Sequence, residues 1–212
     1  ESNDAPSVDD VQGTDNEFRQ GGSPVAVFTG ADLSAYEAGQ NITELRLQVS
    51  GVAASDDEFL ELPSDVEIGL KAGVSGSGFE VQSLGNDLEI ILTGDWTVAE
   101  AESLLNGLTY RTDEFAPTQS TRSFSITSIQ DAGGVLHNGV DTTTYGIGVH
   151  RSIIDVQMTL SLPTVTLQTT HLDMVEDITQ NIDKGARIFS QAADELDDYA
   201  GHTLTVGSDL GA

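Results

Sequence analysis

The sequence contains no cysteine in 212 residues. No disulfide staples the fold, and no thiolate zinc site can be built. Positive charge is almost missing as well. Only 8 Lys and Arg stand against 35 Asp and Glu, giving a formal net charge of -27 at pH 7. Nucleic acid and anionic lipid are gripped by basic surfaces, so neither is an expected partner. No apolar run reaches the roughly 18 residues of a membrane span, so no membrane insertion is expected of this segment. Catalytic signatures are absent too: there is no GxSxG, no HExxH, no P-loop and no GxGxxG opening a helix. The four histidines, His137, His150, His171 and His202, never pair at i,i+4, which argues against a histidine metal centre. The expectation is a protein that is not an enzyme.

What the chain has is acid. Like charges this dense repel, and compaction crowds them further. Salt offsets such repulsion by screening. Bound divalent cations offset it directly, and calcium suits carboxylate and carbonyl oxygens. Two readings follow: a calcium-binding protein, or a solvated acidic surface adapted to salt. The chain opens at Glu1 without a leader, as a mature or excised piece does.

Hydrophobic residues make up 38 % of the chain, and many alternate with polar ones. This texture predicts an antiparallel β protein. Strands are expected at Pro6–Val11, Pro24–Phe28, Ile42–Val49, Phe59–Leu62, Val66–Leu70, Phe79–Ser83, Leu88–Leu92 and Thr109–Arg111. Others are expected around Phe124, Ile126 and Ile129, and where Tyr145, Ile147 and Val149 alternate. Residues 31–41 read as a loop or short helical turn, 73–78 as a flexible turn, and Asn86-Asp87 as a hairpin turn. One helix interrupts the series. Thr97 and Glu100 form a capping box, Val98, Ala101, Leu104 and Leu105 an apolar stripe, and Gly107 a stop. Trp96, the single tryptophan, reads as an apolar anchor ahead of the cap. The pattern is all-β: a β-sandwich with Greek-key-like connections and one short crossover helix.

An internal similarity divides the chain. FRQGGSPVAVF at 18–28 is echoed by ITQNIDKGARIF at 178–189, Pro6-Ser7-Val8 by Pro163-Thr164-Val165, and YEAG at 36–39 by DYAG at 198–201. The matches are degenerate but collinear, as in a domain array. Residues 1–162 are then one full unit and 163–212 the start of a second β unit, truncated or split by an insertion.

Candidate calcium ligands gather in turns. Glu1, Asn3, Asp4, Asp9 and Asp10 form the first group, Asp56, Asp57 and Glu58 the second, Asp113 and Glu114 the third, and Asp194 to Asp198, with Asp197 and Asp198, the fourth. Asp95 and Asp131 sit in glycine-flanked turns, where backbone can curl to present carbonyls. None of these reproduces a DxDxDG loop. Asp32 and Glu37 flank a loop, while Glu100 and Glu102 are accounted for by the capping box and a wet helix face.

NDAP at 3–6, GGSPVAVFTGADLSAYEAGQNITELRLQVSG at 21–51, LTGDWTVAEAESLLNGLTYR at 92–111 and RSFSITSIQDAGG at 122–134 together carry a resemblance. The chain resembles the cadherin-like and Ig-like tandem domains of giant bacterial surface adhesins of the RTX type, exported by type I systems. The likeness covers most of 1–156 and, more faintly, 173–206. It implies an extracellular β-sandwich on the bacterial cell surface, repeated in a rod whose linkers bind calcium. Such a rod serves cell adhesion and biofilm formation. Its partners would be neighbouring domains of the same adhesin, with host or surface glycan or protein engaged through adjacent domains. A module that itself binds glycan or protein is the alternative. The resemblance places Asn3 and Asp4 at the calcium-bearing junction. The chain departs from the family where Gln20 and Gln180 replace a Glu before the PVA strand, and where Leu160-Ser161-Leu162-Pro163 replaces NDAP.

Overall fold

The computed structural model describes residues 3–14, 16–53, 55, 57–113, 120–134 and 139–157, together with the backbone of two later strands. The chain divides into two units, Glu1–Thr159 and Leu160–Ala212. The first is mostly β-strand with one short helix.

Its elements run β1 (Ser7–Gly13), β2 (Asn16–Arg19), β3 (Val25–Ala26), β4 (Phe28–Ser34), β5 (Ile42–Ser50), β6 (Glu58–Glu61), β7 (Glu67–Gly69) and β8 (Ser75–Gly76). They continue with β9 (Phe79–Leu84), β10 (Asp87–Trp96), α1 (Val98–Asn106), β11 (Thr109–Thr112), β12 (Thr121–Asp131), β13 (Thr142–Thr144) and β14 (Arg151–Gln157). Among the described residues, the larger sheet has the order β2-β14-β12-β5-β10-β9-β8, with β13 also on β12. A four-stranded sheet runs β3-β11-β6-β7, and β1 pairs with β4 alone. Helix α1 connects β10 of the larger sheet to β11 of the smaller one.

Period-2 alternation builds this framework. On β5, Leu45, Leu47 and Val49 are fully buried, while Arg46 pairs on the other face with Glu44 at 2.6 Å and Glu89 at 3.2 Å. The smaller sheet turns Leu60, Ile68 and Tyr110 into the same core. Tyr110 meets Phe18 of β2 and Phe124 of β12 edge-on, each with ring centroids 5.7 Å apart. Each such side chain contributes about 1.5–3 kcal/mol by leaving water, so this seam between the sheets is a principal source of stability.

The capping box on α1 is present in full. Thr97 Oγ1 accepts from Glu100 N, and Glu100 Oε2 accepts from Thr97 N at 2.9 Å. Ala101 and Leu105 are its buried face. Glu102 is no wet residue: it accepts from Leu33 N at 3.1 Å, and Asn106 Oδ1 accepts from Ala31 N at 2.8 Å. The helix thereby satisfies backbone donors that β4 would otherwise leave open.

Other expectations need correction. Residues 31–34 are the end of β4, with Ala31 and Leu33 buried and the helix answering their N–H groups. The hairpin turn is Gly85-Asn86, since Asp87 already pairs with Leu84, and Gly85 supplies the required φ of +67°. No strand covers 145–149; there the chain turns, with Gly148 at φ +93°, and Ile147 and Val149 are exposed. Strands flank that turn instead. Short β8 lies within the turn expected at 73–78. Strand β2 forms where no strand is expected, and it pairs in parallel with β14, so the larger sheet is mixed.

In the second unit, β15 (Thr164–Leu167) and β16 (Ala186–Phe189) are antiparallel, with Thr164 opposite Phe189. Their counterparts by internal similarity fall in β1 and around β3 and β4. Those registers differ, for Ser7 lies opposite Ser34 and Gly13 opposite Phe28.

Candidate metal site

One end of the larger sheet brings three separate segments together. Asp131 closes β12 and lies opposite Ile42, the first residue of β5, across a register shift. This pairing puts the loop that leads into β5 against Asp131. Asp131 is 3 % exposed, and its Oδ1 accepts from Gly133 N at 2.9 Å. That local bond folds the DAGG segment back on itself, as Asp favours in turns.

Asn3 arrives from the leading segment. Its carbonyl accepts from Val140 N at 2.9 Å, and its Nδ2 donates to Val140 O at 2.8 Å and to Asp131 Oδ1 at 3.0 Å. The Asn3 amide lies over Gly133. A Cβ on Gly133 would stand 2.0 Å from Asn3 Oδ1, so only glycine leaves room.

The third contribution is the turn before β5. Glu37 Oε1 accepts from Asp4 N at 2.8 Å. The side chain of Gln40 reaches the centre. One terminal atom of its amide is 3.0 Å from Asp131 Oδ2, 3.2 Å from Glu37 Oε2 and 3.0 Å from Asn3 Oδ1. Two carboxylates and two side-chain amides therefore converge. Among the described residues, no ion pair involves Asp4, Glu37 or Asp131, and no three His, Asp or Glu side chains form a metal-holding group. With its nitrogen in that position the Gln40 amide donates to both carboxylates, so Glu37 and Asp131 contribute the oxygens that would suit a hard cation.

The other candidate ligands are dispersed. Asp4 contributes its backbone N–H here, with an exposed residue. Asp9 accepts from Ser7 Oγ at 2.5 Å, and Asp10 lies across from Asp32 on the β1–β4 pair. Asp57 pairs with Lys71 at 2.7 Å and Asp113 with Arg111 at 2.5 Å, so both already have a cation. Arg111 also bonds Glu61 and Glu67, and Asp113 first, then Glu67 and Glu61, hold its pKa above its ordinary range. Asp95 accepts from Asn41 Nδ2 at 2.7 Å. Asp56, Glu114, Asp197 and Asp198 lie outside the described residues, as does Glu1.

Glu58, grouped by sequence with the surface acids, is in the core. It accepts from Arg122 Nε and Nη2, both at 2.6 Å, and from Tyr110 OH at 2.7 Å. Burial works against the guanidinium charge, but the bonds to Glu58 and its negative charge outweigh it, so Arg122 titrates above its usual range. Burial, then the charge of Glu58, pushes the Tyr110 hydroxyl well up.

The sequence reading missed Gln40 and left Glu37 as a loop residue. The available signal was Glu and Gln three apart around a turn, in Glu37-Ala38-Gly39-Gln40, directly before the strand that pairs with the DAGG segment. A shallow groove of about 450 Å³ lies elsewhere on the larger sheet, lined by Glu44, Arg46, Glu89, Gln130 and several threonines, with no aromatic ring.

No protein-family model, curated protein or solved structure matches the chain. Among the described residues, no helix is long and apolar enough to cross a membrane.

Proposed function

We propose that this chain is a non-enzymatic, extracellular module of a large bacterial surface adhesin, an Ig-like or cadherin-like β-sandwich. It acts as a calcium-stiffened extender that positions ligand-binding domains for adhesion and biofilm formation. The observation that carries this reading is the meeting of Asn3, Glu37, Gln40 and Asp131 at one end of the sheet. Asn3 belongs to the segment that leads into the domain, whereas Glu37, Gln40 and Asp131 belong to its body. Calcium bound there would supply the positive charge that the cluster lacks and tie the leading segment to the two loops. The fit rests on the carboxylate oxygens of Glu37 and Asp131 and on Gly133, whose missing Cβ leaves the cradle for Asn3. A fixed lead-in angle makes an extender from an otherwise hinged pair of domains. The net charge of -27 supports the same reading, because bound cations relieve it.

Thermal melting tests this. The full chain is melted in chelator, in calcium, in magnesium, and in sodium chloride at matched ionic strength. Ligand bound only to the native state stabilises by about 2.7 kcal/mol at a hundredfold excess over Kd. For a chain of this size that is a rise of about 5–10 °C. Magnesium should do less, because it demands a small octahedral shell. Equal rises in sodium chloride and in calcium would leave only screening and would sink the reading.

A further inference from the structure

We propose that the parallel pair of β2 and β14 is a force-bearing clamp: tension drawn through the first unit, from the leading segment to the chain leaving β14, loads this pair in shear. This rests on the extender reading above for the source of the tension, and deepens it by naming the element that carries the load.

The two segments run side by side in one register. Gly13 lies against the Arg151 carbonyl, Ser152 Oγ donates to Thr14 O at 3.0 Å, and Asn16 to Arg19 lie opposite Ile154 to Gln157. The separation of 138 residues between Thr14 and Ser152 is kept through the last pair, so nothing slips along the seam. The approach is close, for a Cβ on Gly13 would stand 1.9 Å from the Arg151 carbonyl oxygen. Beyond the last pair, Gln20 N donates to Gln157 O at 3.2 Å. Side chains lock the same seam. Phe18, Ile154 and Val156 are buried, and Asn16 Nδ2 and Thr14 Oγ1 both donate to Ala26 O, at 2.8 and 2.6 Å.

Direction decides what these bonds resist. In this parallel pair the chain enters β2 at the end where β14 begins, and it leaves β14 at the far end. Pulling those two points apart slides the strands past each other, so the evenly spaced bonds of the ladder stretch together. In an antiparallel pair both points would lie at one end, and the bonds would open one at a time. Strand β14 is also held on its other edge. It pairs with β12 from Asp155 opposite Thr121 to Arg151 opposite Ser125, and Val156 N donates to Ser120 O at 2.7 Å. Ahead of the clamp, β1 holds less firmly, since its pairing with β4 shifts register twice within 7 residues. Strand β2, an edge of the larger sheet among the described residues, therefore sets the resistance through its bond to β14.

The chain has no cysteine, so two introduced cysteines define the pulling points in the full chain. Gln12, Arg151 and Gln157 are all exposed. Handles at Gln12→Cys and Gln157→Cys load the pair in shear, whereas handles at Gln12→Cys and Arg151→Cys part it from one end. Forced opening in single-molecule pulling reports an unfolding barrier, and the shear geometry should need about twice the force of the other. Gln20→Pro sharpens the comparison. Gly22 N donates to Arg19 O at 2.8 Å with Gly21 at φ +70°, a type II turn whose second position, Gln20, accepts proline. The variant deletes the Gln20 N–H bond to β14 and keeps the turn, so it should lower the shear force and leave the other unchanged. Equal forces in the two geometries, or a shear force that Gln20→Pro does not lower, would overturn the clamp and leave the calcium reading to its own melting test. Melting that ignores calcium while the shear force stays the higher would remove the calcium reading and keep the clamp.

Discussion

Glu58 and Asp131 are both carboxylates inside the first unit, at 1 % and 3 % exposure, yet they are answered in different ways. Glu58 faces Arg122, which is itself fully buried and holds it in a two-pronged bond, with the Tyr110 hydroxyl as a third donor. The chain supplies that cation permanently, and Arg122 on β12 links the larger sheet to Glu58 and Tyr110 on the smaller one. Among the described residues, Asp131 meets amides, a backbone N–H and a second carboxylate nearby, with no guanidinium or ammonium. Where two sheets must stay together in all conditions, the fold carries its own positive charge. On the calcium reading proposed above, where a leading segment meets two loops the positive charge is left to the surroundings, and the junction would respond to them.

The comparison breaks most visibly at Arg122. Arg122→Met strands a buried carboxylate, so urea unfolding should report a loss of about 3–5 kcal/mol. The loss should be the same in calcium and in chelator. Adding Glu58→Leu should recover most of it, because removing both charges is far cheaper than orphaning one. A loss that calcium reverses would mean that the core pair and the loop cluster are one system.

Gly133→Ala should come next. Its Cβ would stand 2.3 Å from Asn3 Cγ and expel the Asn3 side chain. Overpacking of this sort costs about 1–3 kcal/mol. At least half of the calcium-induced rise in melting temperature should go with it. Retention of the full calcium response would remove Asn3 from the site.

The smallest effect belongs to the helix cap, a control that touches neither cluster. The Thr97 backbone N–H, then its hydroxyl, hold the Glu100 carboxyl below its usual range. Its folded pKa is depressed, so its contribution is present above the ordinary carboxylate range and fades as pH falls through and below it. Glu100→Gln removes that titration while preserving a box-forming side chain. The stability difference between the two proteins should therefore shrink on acidification from neutral pH. A constant difference would show that the carboxylate charge contributes nothing there.

Much of this was legible from alternation and capping. The β5 triplet Leu45, Leu47 and Val49, the hairpin of β9 and β10, and the box at Thr97 are local patterns, and local patterns survive without knowledge of partners. The core position of Arg122 was visible in principle, because it shares parity with Phe124 and Ile126 on β12. The charge hid it, since arginine is rarely buried without a partner and that partner, Glu58, is 64 residues away. Tyr145, Ile147 and Val149 misled for the opposite reason: period-2 spacing is also met in a turn when Gly146 and Gly148 separate the apolar residues. For the candidate site, Asn3 and Asp131 stood out by motif and turn chemistry. Glu37 and Gln40 did not, because their place depends on which strand β5 pairs with and in what register.

The central claim is that the Asp131 cluster takes its missing positive charge from calcium. Titration calorimetry of the full chain with calcium, beside Asp131→Asn, tests it most directly. The account predicts a saturable binding event in the wild type that is lost or at least tenfold weaker in the variant, since a carboxylate is removed from a hard-cation set. Identical binding heats and stoichiometry in the two proteins would contradict it.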